Sequence, residues 1–176
     1  MTFIVSEVVD TKLCDIDTSE LSVFYAVVEQ HYNENNYGFD IYRKFASDRW
    51  GPECSELRLV RMLSLIESVE RHGYVRDYSI TNLDMILKMR SINSEQPHQS
   101  IDEHHNRVRL TPDRKILNGR HRVAVCIYNN VPTVPCIITN RESSDKIIHD
   151  NILTSDEILL LNTSFERMQS KLTCMR

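Results

Sequence analysis

No stretch of this chain is apolar for the length of a membrane span, and its opening residues, Met1-Thr2-Phe3-Ile4-Val5-Ser6-Glu7, lack the basic start and long apolar run of a secretory signal. A soluble, cytoplasmic protein with no membrane partner is therefore expected. No Cys-x-x-Cys pair occurs. The five cysteines, Cys14, Cys54, Cys126, Cys136 and Cys174, are odd in number and widely spaced, so they suggest neither a disulfide framework nor a zinc knuckle and read as reduced thiols. Internal repeats and low-complexity tracts are also absent, which sets aside solenoids and arrays. Nor is there an excess of positive charge. The 21 Lys and Arg against 25 Asp and Glu give a formal net charge of −4, which opposes wholesale binding to nucleic acid but permits a local basic patch.

What is present is ordinary for one globular unit: 176 residues, 41% hydrophobic and 26% charged. Apolar residues in 3–9 fit a first strand. Asp17-Thr18-Ser19-Glu20 has the side chains of a capping box, and a helix from there to about Tyr32 would bury Leu21, Phe24, Val27, Val28 and His31. Asn33 to Gly38 breaks the pattern, and a short second helix is expected over residues 40–47. After an interruption at Arg49-Trp50-Gly51-Pro52-Glu53-Cys54-Ser55-Glu56, the residues Leu59, Met62, Leu63, Ile66 and Val69 recur at helical spacing up to Gly73.

Strand material is expected at 78–81, with 83–89 continuing it or forming a short helix, and the polar segment 91–105 reads as an insertion or mobile loop. Then follow a strand at 107–110, a Thr111-Pro112-Asp113-Arg114 turn, a strand at 115–117 pairing back on it, a helix, an Asn129-Asn130 stop and a strand at 133–138. A last helix begins near Ser155-Asp156-Glu157 and uses Ile158, Leu159, Leu161, Phe165 and Met168. The expected fold class is α+β, a small mixed sheet flanked by helices. Residues 1–54 would form an N-terminal extension, 55–140 the core and 141–176 a helical tail, all in one compact unit.

The most informative stretch runs from Ile116 to Cys126, where a short strand passes through Asn118-Gly119 into a helix opening on Arg120-His121-Arg122. Helix N-terminal N–H groups, the favourable end of the helix dipole and forked guanidinium donors together suit a phosphate. Between Arg107 and Arg122 six Arg or Lys residues face a single acid, Asp113, so positive charge concentrates at this turn. His104 and His105 beside Asp102 and Glu103 fit no familiar metal-ligand spacing.

Taken with its neighbours, Gly119-Arg120-His121-Arg122 resembles the phosphate-binding turn of the ParB/sulfiredoxin superfamily, in its Gly-x-His-Arg form as in free serine kinases. The preceding helix ending in Gly, the strand before the turn and the Val131-Pro132-Thr133-Val134-Pro135 strand follow in the same order over residues 55–140. The resemblance implies a ParB/sulfiredoxin-like fold and a nucleotide-dependent, kinase-like phosphotransferase acting on a small hydroxyl compound such as serine, a sugar or a polyol. ATP or ADP, or else CTP, would bind with Mg2+. Gly119, Arg120, His121 and Arg122 would hold the phosphates and Arg49 would add a contact, or else stack on Trp50. Asn118 would position the acceptor where kinases of this group usually carry Asp, and Glu53 or Glu56 would act as base. Ser55 and Glu56 read equally well as helix-capping residues. Sulfiredoxin chemistry is not expected, because Arg120 stands where those proteins place the reactive cysteine. The alternatives are a non-catalytic nucleotide-binding or nucleotide-sensing module and a ParB-like DNA-associated protein.

Overall fold

The computed structural model describes residues 8–73, 108–140 and 151–176. The expectations for 78–81, 83–89 and 91–105, with His104 and His105, lie outside the described residues. Within them the chain is a mixed α/β fold of five α-helices and one four-stranded sheet: β1 (Val8–Lys12), α1 (Ser22–His31), α2 (Gly38–Trp50), α3 (Pro52–His72), β2 (Val108–Leu110), β3 (Ile116–Asn118), α4 (Arg120–Tyr128), β4 (Thr133–Ile138) and α5 (Ser155–Cys174).

The sheet runs in the order β1-β4-β2-β3. Its outer pairs are antiparallel, with Val9 opposite Cys136 and Leu110 opposite Ile116, whereas β2 and β4 run parallel, with Arg109 opposite Ile137. The antiparallel β2–β3 pair is closed by the Thr111–Arg114 turn: the Thr111 hydroxyl donates to Asp113, Thr111 N–H donates to Lys115 C=O at 2.9 Å, and Arg114 takes φ +68°. The first strand continues to Lys12, beyond the expected 3–9, because its ladder with β4 extends through the Lys12–Thr133 pair.

Helix α1 is the centre of the molecule. Leu21, Phe24, Val27 and Val28 are buried as the apolar stripe requires, but so is every residue from Val23 to Glu29, and His31 is only half-buried. A helix covered on all sides packs against partners all round, here α2, α4 and α5. It begins later than the expected capping box. Asp17 accepts from the Ser19 N–H at 3.0 Å in a local turn, Thr18 is buried beneath the side-chain amide of Gln169 at 2.8 Å, and no side chain caps α1.

Asn35 breaks the chain and then organises the next helix. Its Oδ1 accepts from the N–H groups of Tyr37 and Gly38 at 3.1 and 3.0 Å, and its Nδ2 donates to Ala26 C=O at 2.9 Å. A Cβ at Gly38 would lie 2.1 Å from the Ala26 carbonyl oxygen, so α2 starts where only glycine lets it touch α1. It runs on to Trp50, past the expected end at 47, and stops at Gly51 with φ +92°; Pro52 opens α3 as first-turn prolines do. Ser55 and Glu56 therefore lie inside α3 and do not cap it. Leu59, Met62, Ile66 and Val69 are buried along this helix and Leu63 is partly so.

At the start of α5 the capping box is present, set by Thr154 and Glu157: the Glu157 N–H donates to Thr154 Oγ1 at 3.2 Å and the Thr154 N–H to Glu157 Oε1 at 3.1 Å. Leu161, Ser164, Met168 and Leu172 form its buried face. Leu159, expected in the core, falls off that face and is 63% exposed.

Candidate anion-binding site

The strand-to-helix turn sits where β3 ends against β2. Gly119 takes φ +102°, and a Cβ there would lie 2.9 Å from Val108 Cγ2 and 3.1 Å from Val108 Cα. The glycine thus serves the left-handed turn and the close approach of α4 to β2. Its carbonyl accepts the first helical bond, from the Val123 N–H at 3.0 Å, and no side chain caps this end of the helix. The first-turn N–H groups and the positive end of the helix dipole face outward from it.

The three basic side chains of α4 diverge in environment. Arg120 has only 11% of its side chain exposed and donates from Nη2 to Glu20 Oε2 at 3.3 Å. Arg122 is buried. His121 turns into an aromatic recess, its ring edge-on to Phe24 at 4.7 Å and tilted against Trp50 at 6.5 Å, with Nε2 2.7 Å from the Tyr42 hydroxyl. Burial, then the charges of Arg61, Arg58, Arg122 and Arg120, hold this imidazole well below the ordinary histidine range and keep it neutral. Its Nε2 is committed to Tyr42, so the ring is held in this recess.

Four guanidiniums from two helices therefore act on one imidazole. Arg58 and Arg61 of α3 join Arg120 and Arg122 of α4 in opposing its charge, and the sequence pattern does not single them out. Their three-residue spacing on α3 was a visible signal. On a charged helix it reads the same as a solvated face until α3 is seen to pack against α4. Arg58 places Cζ 3.7 Å over the Trp50 ring, and Arg49 lies over the same indole at 5.4 Å. Arg49 is thus a stacking partner of Trp50.

The acids chosen from the sequence sit differently. Glu56 accepts from Arg43 Nε at 2.9 Å and Nη2 at 3.3 Å, and Arg43 also reaches Asp40 at 3.1 Å. These hydrogen bonds hold the Glu56 carboxyl below the usual carboxylate range, which weakens it as a proton acceptor at neutral pH. Glu53 is exposed in the first turn of α3, beside Gly51. Asn118 is the exposed last residue of β3, opposite Arg109. Glu20 reaches this turn through its ion pair with Arg120. Cys126 lies deeper in α4, where burial pushes its thiol up to about 12.

No family model, curated protein or solved structure matches this chain. Among the described residues no three His, Cys, Asp or Glu side chains converge as a metal site, and no helix is long and apolar enough to cross a membrane.

Proposed function

We propose that the protein binds the phosphate groups of a nucleotide at the start of α4, in a ParB/sulfiredoxin-like arrangement. The observation that carries this reading is the helix start after Gly119, which no side chain caps and whose first turn carries Arg120 and Arg122, with Arg58 and Arg61 of α3 near enough to oppose the charge of His121 between them. Guanidiniums on the first turn of a helix suit a multiply charged oxyanion, which accepts forked hydrogen bonds from them. Phosphate oxygens also match the outward N–H groups of the first turn.

A second reading adds phosphoryl transfer to a small hydroxyl compound such as serine, a sugar or a polyol, and Glu20 favours it. Its carboxylate stands at the Arg120 side of the turn, where an acid facing a bound phosphate would orient an acceptor hydroxyl. In that reading Mg2+ enters with the nucleotide and neutralises charge on its phosphates. Glu56, engaged by Arg43, is the weaker candidate for the base.

Calorimetric titration of ATP, ADP and CTP with Mg2+ tests the binding. The expected result is saturable binding that falls at least about tenfold in Arg120→Ala and weakens as salt is raised. Absence of binding by all three nucleotides at low salt overturns the reading. Phosphorus NMR of protein, Mg2+, ATP or ADP and a panel of hydroxyl compounds then separates the two versions. New phosphoester signals that vanish in Glu20→Gln identify a transferase, and binding without turnover identifies a sensing module.

A further inference from the structure

We propose that Tyr32 and Tyr128 form an oxidative modification site, where a small one-electron oxidant of the alkylperoxyl radical class joins the two side chains into an intramolecular dityrosine. The cross-link straps the end of the central helix α1 to the last residue of α4, the helix that opens on the basic turn. It stands apart from the phosphate-binding reading and does not depend on it.

The two rings are 4.8 Å apart between centroids with 2° between their planes, a parallel stack of two half-buried side chains. Tyr25 also touches Tyr128, at 5.8 Å, but its ring is tilted by 50° and buried, so it is neither parallel to its neighbour nor open to solvent. Both members of the stack are held from behind. Tyr32 follows α1 directly, its N–H donating to Val28 C=O at 3.3 Å. Lys171 of α5 donates to the Tyr128 carbonyl, and its ammonium lies 4.0 Å over the Tyr128 ring. Holding two reacting rings face to face turns a bimolecular coupling into a unimolecular one.

Each phenol also has a carboxylate near it to receive its proton. Burial, then the Glu70 carboxylate, holds the Tyr32 hydroxyl above its ordinary range, and burial followed by Glu34 does the same for Tyr128. Both phenols are therefore protonated at neutral pH, and oxidation has to remove a proton with the electron. The ammonium over Tyr128 enforces this, since a cation on the ring face opposes the positive charge that loss of an electron alone would leave. Each phenol gives up one electron and one proton, the proton leaving by way of Glu70 or Glu34, and two peroxyl radicals become two hydroperoxides. The two phenoxyl radicals then form one carbon–carbon bond between ring positions ortho to the hydroxyls. The hydrogens on those two carbons move to the oxygens as the rings regain aromaticity.

The experiment warms a dilute solution of the full chain with a water-soluble azo compound that releases peroxyl radicals. It reads dityrosine fluorescence in the monomer fraction, together with mass spectrometry of that fraction's tryptic peptides. The expected result is a cross-linked peptide pair joined through Tyr32 and Tyr128, two hydrogens lighter than the sum of its parts. Tyr32→Phe and Tyr128→Phe, which keep the ring and lose only the hydroxyl, should each abolish the monomer's signal, and Tyr25→Phe should keep it. A monomer that yields no dityrosine, or one whose cross-link joins any other pair of tyrosines, overturns the proposal without a variant. So does dityrosine confined to dimers, or a Tyr32→Phe chain that keeps the full signal.

Discussion

The Tyr42 hydroxyl and His121 Nε2 lie 2.7 Å apart, so the central side chain of the basic turn is fastened to α2 and faces the protein interior. With burial and four nearby arginines opposing its charge, the imidazole refuses a proton that the same histidine accepts in the unfolded chain. Below the unfolded value near 6.5 the unfolded state binds more protons, and stability falls as pH falls. Above it the full stability is present. The expected loss approaches about 1.4 kcal/mol per pH unit at its steepest. His121→Gln keeps an amide where the imidazole met Tyr42 and removes this titration. Urea midpoints of both proteins at about pH 7.5 and pH 5.5 measure it. Identical pH dependence in the two proteins would show that the imidazole is not shielded.

Gly119 is the position at which the turn tolerates least. Alanine there meets both a left-handed backbone at φ +102° and Val108 atoms at 2.9 and 3.1 Å, one of which belongs to the strand backbone. The expected cost is about 2 kcal/mol or more in thermal or urea unfolding, together with loss of nucleotide binding as the first turn of α4 tilts. Gly73 provides the control. It also has positive φ, but a Cβ there meets nothing within 4 Å, so Gly73→Ala should cost about 1 kcal/mol and leave binding intact.

The elements that could be read from the sequence are those whose signals lie within a few residues of one another. The β2–turn–β3–α4–β4 run is punctuated by Thr111-Pro112-Asp113, Asn118-Gly119 and Asn129-Asn130, and α3 carries its own periodic stripe up to Gly73. The start of α2 is fixed instead by Gly38 lying on the backbone of α1 and by the Asn35 side chain, contacts that local pattern does not contain. The site divides in the same way. Gly119, Arg120 and Arg122 announce themselves by the turn, but Arg58 and Arg61 join them only because α3 packs on α4. The recess that receives His121 is built from Phe24, Tyr42 and Trp50 of two other helices. Glu56 looked like a base because nothing near it in sequence shows that Arg43 occupies its carboxylate.

Thiol reactivity follows burial. Cys54, Cys126 and Cys136 are buried, and desolvation raises the pKa of Cys126 and Cys136, whereas Cys174 is exposed and Cys14 half-buried. An aromatic disulfide reagent at neutral pH should titrate Cys174 rapidly and Cys14 more slowly, with the remaining three appearing only in denaturant. Rapid modification of Cys126 in the native protein would contradict the packing of α4.

The C-terminal helix is locked to the centre of the fold by one carboxylate. Glu29, on the buried helix α1, is 1% exposed, and both its oxygens accept from Arg167 of α5, Nη2 to Oε1 at 3.0 Å; Asn35 adds a third donor at 3.4 Å. Arg167 also reaches the Tyr37 hydroxyl at 2.9 Å, and that hydroxyl lies 2.7 Å from Ser164 Oγ, so the pair is the hub of a network spanning three helices. Removing the guanidinium alone leaves a negative charge in the interior without its counter-ion, at a cost of about 3 kcal/mol, whereas removing both charges together relieves most of that penalty. Arg167→Ala should therefore unfold at markedly lower urea than Arg167→Ala combined with Glu29→Gln. A double variant no more stable than the single one would mean that the pair contributes packing alone and that the buried charge is not what Arg167 stabilises.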